Sequence, residues 1–169
     1  YKVYNGNLLY HGCVPLKEDG NLKSVRIFGR VYKGKGLYEV LESYVRKGFY
    51  AMDPKEKERG KDIMWYIWLS ENSPLFGKDK MATFERYFLA EKETHKEKKN
   101  PYYLLLEDEK VVGKILKEFG LENEDAHIIN GHVPVKCKDG ENPVKCGGKV
   151  LVIDGGFSKA YQKETGIAG

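Results

Sequence analysis

Much of what would tie this chain to a membrane, an oxidising compartment or a nucleotide is missing from it. No apolar run approaches the roughly 20 residues a helix needs to cross a bilayer, and no secretory leader is visible, so no membrane role is expected. Cysteine is scarce: Cys13, Cys137 and Cys146 make an odd set of three with no CxxC spacing. That reads as reduced thiols in a cytoplasmic protein rather than a disulfide framework, and it makes Cys137, Cys146 and His132 a poor zinc set. Two common chemistries also lack a carrier. There is no G-x-x-x-x-G-K-[ST] phosphate loop and no strand-to-helix nucleophile elbow for a Ser/His/Asp triad. No long tract carries charge of a single sign. The net charge of +4 is spread through mixed runs, so no nucleic-acid partner is expected, and an anionic small substrate fits the charge equally well. Neither an internal repeat nor a low-complexity tract is found.

What is present suits one core. A chain of 169 residues, 41% hydrophobic and 32% charged, is long enough to bury a single sizeable interior. The aromatic share is rich, with 12 Tyr, and suggests amphipathic surfaces that meet a ligand or another part of a larger protein. The chain opens on YKVYNGNLLYHG and closes on KETGIAG, which reads as an internal piece of a longer polypeptide.

In chain order, residues 1–10 suit a strand pair turned at Asn5-Gly6. The KEDGN run at 17–21 is a turn, and residues 23–31 return as a strand that Gly34 and Gly36 end. Residues 37–48 place Leu37, Val40, Leu41, Tyr44 and Val45 on one helical stripe, closed by Gly48. The charged run 53–62 reads as a solvated loop or helix turn, and IMWYIWL at 63–69 reads as core or a covered face. Residues 82–90 suit a helix. His95 sits in a Lys/Glu run where a solvated side chain is the ordinary reading. The best helical stripe runs through Val111, Val112, Ile115, Leu116 and Phe119, with acidic residues ahead of it and Gly120 behind it. Residues 127–129 are a strand, 138–142 a hairpin loop, and 149–154 a buried strand running into Gly155-Gly156. The helix-then-strand rhythm points to a mixed α/β fold.

Two stretches share a grammar: NLLYHGCVP at 7–15 and AHIINGHVPV at 126–135. Each is a short apolar run, then His beside Gly, then Pro, which reads as a buried strand ended by a turn. Each therefore sets one imidazole, His11 or His132, at a strand tip, where a rigid scaffold presents ligands. Two such histidines suggest one metal site, for which imidazole is a common nitrogen ligand. From spacing alone two hydrogen-bonded core histidines are the more ordinary reading, and two ligands are fewer than the three a catalytic metal needs. Asp154 is the best-placed carboxylate beside these turns. In VIDGGFSKAY, the Gly pair after a strand suits either a phosphate cradle or a tight turn, with Lys159 and Tyr161 in the same loop. Lys78, Lys80 and Lys136 are further candidate phosphate donors.

Several long strings carry a resemblance: YNGNLLYHGCVPL, DIMWYIWLSENSPLFGK, TFERYF, THKEKKNPYY, IINGHVPVK, GENPVK and VIDGGFSKAYQKETGIAG. Together they resemble the calcineurin-like metallophosphatases, and in particular the bacterial class III fructose-1,6-bisphosphatases. The resemblance implies a partial metallophosphatase β-sandwich flanked by helices, with a helical, charged insertion at about 37–120. It implies a dinuclear centre, usually manganese (Mn2+), with ions roughly 3.5–4 Å apart and a bridging hydroxide attacking phosphorus in line. The substrate implied is a sugar bisphosphate, fructose 1,6-bisphosphate, hydrolysed to fructose 6-phosphate and phosphate in gluconeogenesis. On the matching motifs, His11 and His132 bind one metal, Lys159 and Tyr161 flank the pocket, and Lys78 and Lys80 stand near the place of a phosphate contact.

Three motifs of that family are absent: Asp-x-His, Gly-Asp-x-x-Asp and Gly-Asn-His. They supply the bridging Asp, most other ligands and the proton donor, so the chain reads as the C-terminal half of a catalytic domain, with no catalytic residue of its own and its N-terminal half as the missing partner. Val133 and Pro134 follow the Gly-His motif, as in the protein-phosphatase variant. A protein or dinucleotide phosphatase of the same fold, and a non-catalytic binding module, are the competing expectations.

Overall fold

The computed structural model describes residues 1–136 and 139–153. The chain divides into two compact units, one of Tyr1–Cys13 with the residues from Leu104 onward, the other of Val14–Tyr103.

The first unit is built on a mixed sheet. β1 (Lys2–Tyr4) and β2 (Asn7–Tyr10) form the expected antiparallel hairpin. Its two turn residues, Asn5 and Gly6, take φ of 47° and 74°, the left-handed pair that matches strand twist and that Asn-Gly accepts most readily. β2 then pairs in parallel with β5 (Ile128–Asn130), and β5 in parallel with β7 (Val150–Val152). The short β6 (Val144–Lys145) closes the far edge antiparallel to β7, giving the order β1-β2-β5-β7-β6. Leu8, Ile128 and Val150 share one row of the ladder, and Tyr10, Asn130 and Val152 share the row two residues on. All six are buried, because side chains two apart on a strand face the same way. The unit's helix is α4 (Glu109–Glu118), which buries Val111, Val112, Ile115 and Leu116 as the stripe predicted. The carboxylate of Asp108 accepts from the N–H groups of Lys110 and Val111, capping its start. At its end, Leu121 N–H returns to Leu116 O across Gly120 at φ 81°.

The second unit is a helical hairpin on a small β-ribbon. The strand expected over 23–31 is instead two strands, β3 (Val25–Ile27) and β4 (Arg30–Tyr32), folded back at Phe28-Gly29. Phe28 takes φ 43°, a conformation its side chain gives no hint of. α1 (Gly34–Tyr50) begins three residues before the predicted start, with the glycines expected to break the chain forming its first turn. First-turn N–H groups have no intrahelical partner, so weak helix formers cost least there. α2 (Pro54–Leu69) absorbs both the charged run and IMWYIWL into one helix. Asp53 caps it and Pro54 takes the first helical position, a start signal that was there to be read. Val25, Ile27, Leu37, Leu41 and Ile63 form the core of this unit.

The IMWYIWL run corrects a sequence expectation. Only Ile63 is buried, while Trp65 and Trp68 are each 68% exposed. Helical spacing turns Ile63, Tyr66 and Ile67 toward the core and leaves Met64, Trp65 and Trp68 lining an outer groove with Phe49. A continuous apolar run therefore did not mean a buried one. α3 (Thr83–Phe88) forms where a helix was predicted but buries none of its residues.

The mixed α/β class is the one observed. Of the expected partial sandwich, the described residues of the first unit form one five-stranded layer. Among the described residues, no helix is long and apolar enough to cross a membrane.

Candidate metal centre

Two turns at the same end of neighbouring strands make the site. β2 ends at Tyr10 and β5 at Asn130, and those residues are paired in register. His11 therefore leaves the sheet one residue after β2, and His132 two residues after β5. The ladder continues between the turns, because Gly131 N–H donates to His11 O at 3.0 Å. His132 has φ 70°, and Val133 N–H donates back to Gly131 O at 2.9 Å. That is a three-residue turn with a positive φ at its centre, a rare and strained form. A β-carbon in the left-handed region costs roughly 1–2 kcal/mol, and strain of this kind concentrates at functional sites.

The strained turn swings the second imidazole over to the first. Nε2 of His11 lies 2.9 Å from Nδ1 of His132, with the rings edge to face. His11 is exposed and His132 half-buried, so the pair is reachable from solvent. The approach brings one nitrogen of each ring to the same place, so His11 and His132 are the side chains that would hold an ion there. Without the ion, one ring offers an N–H and the other a lone pair. To hold a cation both must offer lone pairs, so the nitrogen that donates between the rings has to face the ion without its proton.

Asn130, at the same end of β5, is a residue that sequence reasoning did not single out. It is 1% exposed, and its Nδ2 donates to Gly12 O at 3.2 Å. Its Oδ1 is buried and has no hydrogen-bond partner among the described residues, which costs about 1–3 kcal/mol. The signal was an amide closing an otherwise apolar strand, IIN.

The other candidates fall elsewhere. His127 sits at the opposite end of β5, its Nδ1 3.2 Å from Asn7 Oδ1. His95 belongs to the second unit, where its ring meets Leu89 O. Lys78 and Lys80 also lie in the second unit, and each already has a partner there: Lys78 Nζ is 2.9 Å from Glu97 Oε2, and Lys80 Nζ donates to Thr94 O at 2.7 Å. Asp154, Lys159, Tyr161 and Cys137 lie outside the described residues. Burial, helped by the nearby carboxylates of Glu109, Glu107 and Asp108, pushes the Cys146 thiol up, so it stays protonated and is a poor metal ligand. Among the described residues, no group of three or more His, Cys, Asp or Glu side chains is placed to hold an ion. Among the described residues, His11 and His132 are the two candidate ligands brought together.

Glu97 is held below its ordinary value. Burial, the largest single influence, would raise it, but the Lys78 hydrogen bond, the Ala82 N–H and the charges of Lys78 and Arg86 together outweigh that. A carboxylate lowered in the folded state stabilises above its unfolded value, near 4.5, and that stability is lost as pH falls through the folded value. Glu97→Gln is expected to flatten the loss of stability on acidification below about pH 5. Thermal unfolding followed at pH 7 and at pH 4 checks this, and an unchanged pH dependence would rule it out.

Comparison with known proteins covers the whole chain. A family described as Firmicute fructose-1,6-bisphosphatase matches residues 1–169. A protein of Clostridioides difficile (strain 630) named fructose-1,6-bisphosphatase class 3 is 60% identical over 170 aligned positions, covering 100% of this chain and 26% of the relative. Proteins of the same name from Clostridium botulinum, strains Hall and 657, are 59% and 58% identical, again over 100% of this chain and 25% of each relative. The chain thus spans about a quarter of the length of the curated relatives it matches. No solved structure matches it.

Proposed function

Because this chain belongs to the Firmicute fructose-1,6-bisphosphatase family, we propose that it is part of an enzyme hydrolysing fructose 1,6-bisphosphate to fructose 6-phosphate and phosphate, and that His11 and His132 hold one of the metal ions it uses. The observation that carries the reading is the 2.9 Å approach of two imidazoles at adjacent strand ends. When bound, a pair of divalent ions supplies Lewis acidity toward the phosphoryl group. In this chain, β2 and β5 fix the height of the two rings, and the strained turn at His132 aims one ring at the other.

Manganese is taken as the metal, the cytoplasm as the compartment and gluconeogenesis as the setting. The remaining ligands and the proton donor are assigned to sequence outside this chain, which covers only 26% of its relative. We take the chain as the C-terminal half of a catalytic domain. The helical, charged insertion read at about 37–120 overlaps the Val14–Tyr103 unit, which supports that division. Lys78, Lys80, Lys159 and Tyr161 are proposed as substrate contacts, and for Lys78 and Lys80 this requires giving up their present partners.

The test is hydrolysis by the full-length parent with Mn2+, comparing fructose 1,6-bisphosphate with a phosphopeptide and a dinucleotide. Preference for the sugar bisphosphate is expected, and no turnover by the isolated chain of 169 residues. Preference for either other substrate, or turnover by the isolated chain, overturns the corresponding claim.

A further inference from the structure

A buried position on a central strand is an unfavourable place for an amide. Asn is a poor strand former, and in β5 it stands between Tyr10 and Val152, both buried. Its Oδ1 is left without a partner among the described residues. An apolar side chain of similar volume would remove that cost, so the amide needs another explanation, which its other end supplies. Gly12 O can only accept, so the atom facing it at 3.2 Å must be the amide nitrogen. Gly12 directly follows His11, and the His11 carbonyl is already held by Gly131 N–H. Consecutive residues at the end of β5 thus grip consecutive carbonyls of the His11 turn, and the next residue after them is His132.

We propose that Asn130 is a positioning residue for the metal pair: its side-chain amide locks the His11–Gly12 turn at the height that brings His11 Nε2 to His132 Nδ1. This rests on the reading of His11 and His132 as ligands to one ion. The Asn130 hydrogen bond to Gly12 O adds a second hold on the turn, one residue past the carbonyl that Gly131 N–H grips. A two-nitrogen bite tolerates little error, because displacing one ring by about 1 Å puts one nitrogen outside normal bonding distance. Local rules of sequence are broken where function requires it, and Asn130 breaks the apolar rule of its strand.

The test uses the full-length parent and Mn2+ alone, titrated by calorimetry, with metal-free melting measured beside it. Asn130→Leu removes both the Gly12 donor and the unpartnered oxygen. Its metal-free melting point is expected to stay within about 3 °C of wild type, while Mn2+ affinity falls about 10- to 100-fold, the usual effect of losing a residue that orients a ligand. In a His11→Ala background, titrated at millimolar Mn2+, the same substitution is expected to have no further effect, because Asn130 acts through His11. A structural role alone would not produce that dependence. The proposal is overturned if Asn130→Leu and Asn130→Val both bind Mn2+ within about twofold of wild type, or if the loss is the same size with and without His11. Should Asn130→Leu fail to fold, Asn130→Val carries the measurement, and failure of both to fold marks the residue as structural and ends the proposal. Absence of Mn2+ binding by wild type defeats the ligand-pair reading itself, a result distinct from all the others.

Discussion

His11→Ala in the full-length parent is expected to reduce manganese-supported hydrolysis by about a hundredfold or more, His132→Ala by a similar factor, and the double substitution by little more than the worse of the two. Losing a residue that only orients a ligand costs 10–100-fold, so losing the ligand itself should cost at least that. The effects should not multiply, because groups that act as a unit are far from additive. Their nitrogens stand 2.9 Å apart, and if they hold one ion as proposed, removing either weakens the hold on that same ion. The measurement is kcat/KM for each single and for the double variant, with Mn2+ varied so that weak binding is separated from slow chemistry. Fully multiplicative losses would mean that the two histidines act independently, and the shared ion would have to be given up.

Gly48→Ala and Gly60→Ala should each destabilise the helical hairpin, although alanine is the better helix former. A β-carbon at Gly48 would lie 2.6 Å from the Gly60 Cα, and one at Gly60 would lie 2.7 Å from the Gly48 Cα. Both obstacles are backbone, which cannot swing aside as a flexible side chain would. Replacing Gly by Ala inside a helix favours folding by about 0.8–1.0 kcal/mol, whereas forcing extra volume into a packed contact costs about 1–3 kcal/mol. Strain should win, and the larger Gly60→Leu should disrupt the crossing of α1 and α2 altogether. Gly113, in α4, has nothing within 4 Å of an added β-carbon, so Gly113→Ala should stabilise by close to the full propensity gain. Melting of the three Ala variants tests the contrast in sign. A stabilised Gly48→Ala would show that the helices do not approach this closely.

The Asn5-Gly6 hairpin, the α4 stripe and the strands around His11 and His132 were all legible in the sequence. Each rests on a local rule, whether the left-handed tolerance of Asn-Gly, the helical period or a short apolar run bounded by turn residues. The second unit was read less well. Phe28 does not announce a turn, so one strand was expected where two fold back. IMWYIWL was expected to be covered, yet it joins a helix with only one side inward, because apolar residues in unbroken succession carry no information about which face is buried.

The sequence by itself determined that two imidazoles sit at strand ends and which family its motifs resemble. These follow from residue identity and short-range pattern. Only the tertiary structure decided that the two strands are parallel neighbours in register, that the turn at His132 is strained toward its partner, and that the Asn130 amide reaches Gly12. Pairing across more than a hundred residues depends on which strands lie side by side, and no local propensity encodes that.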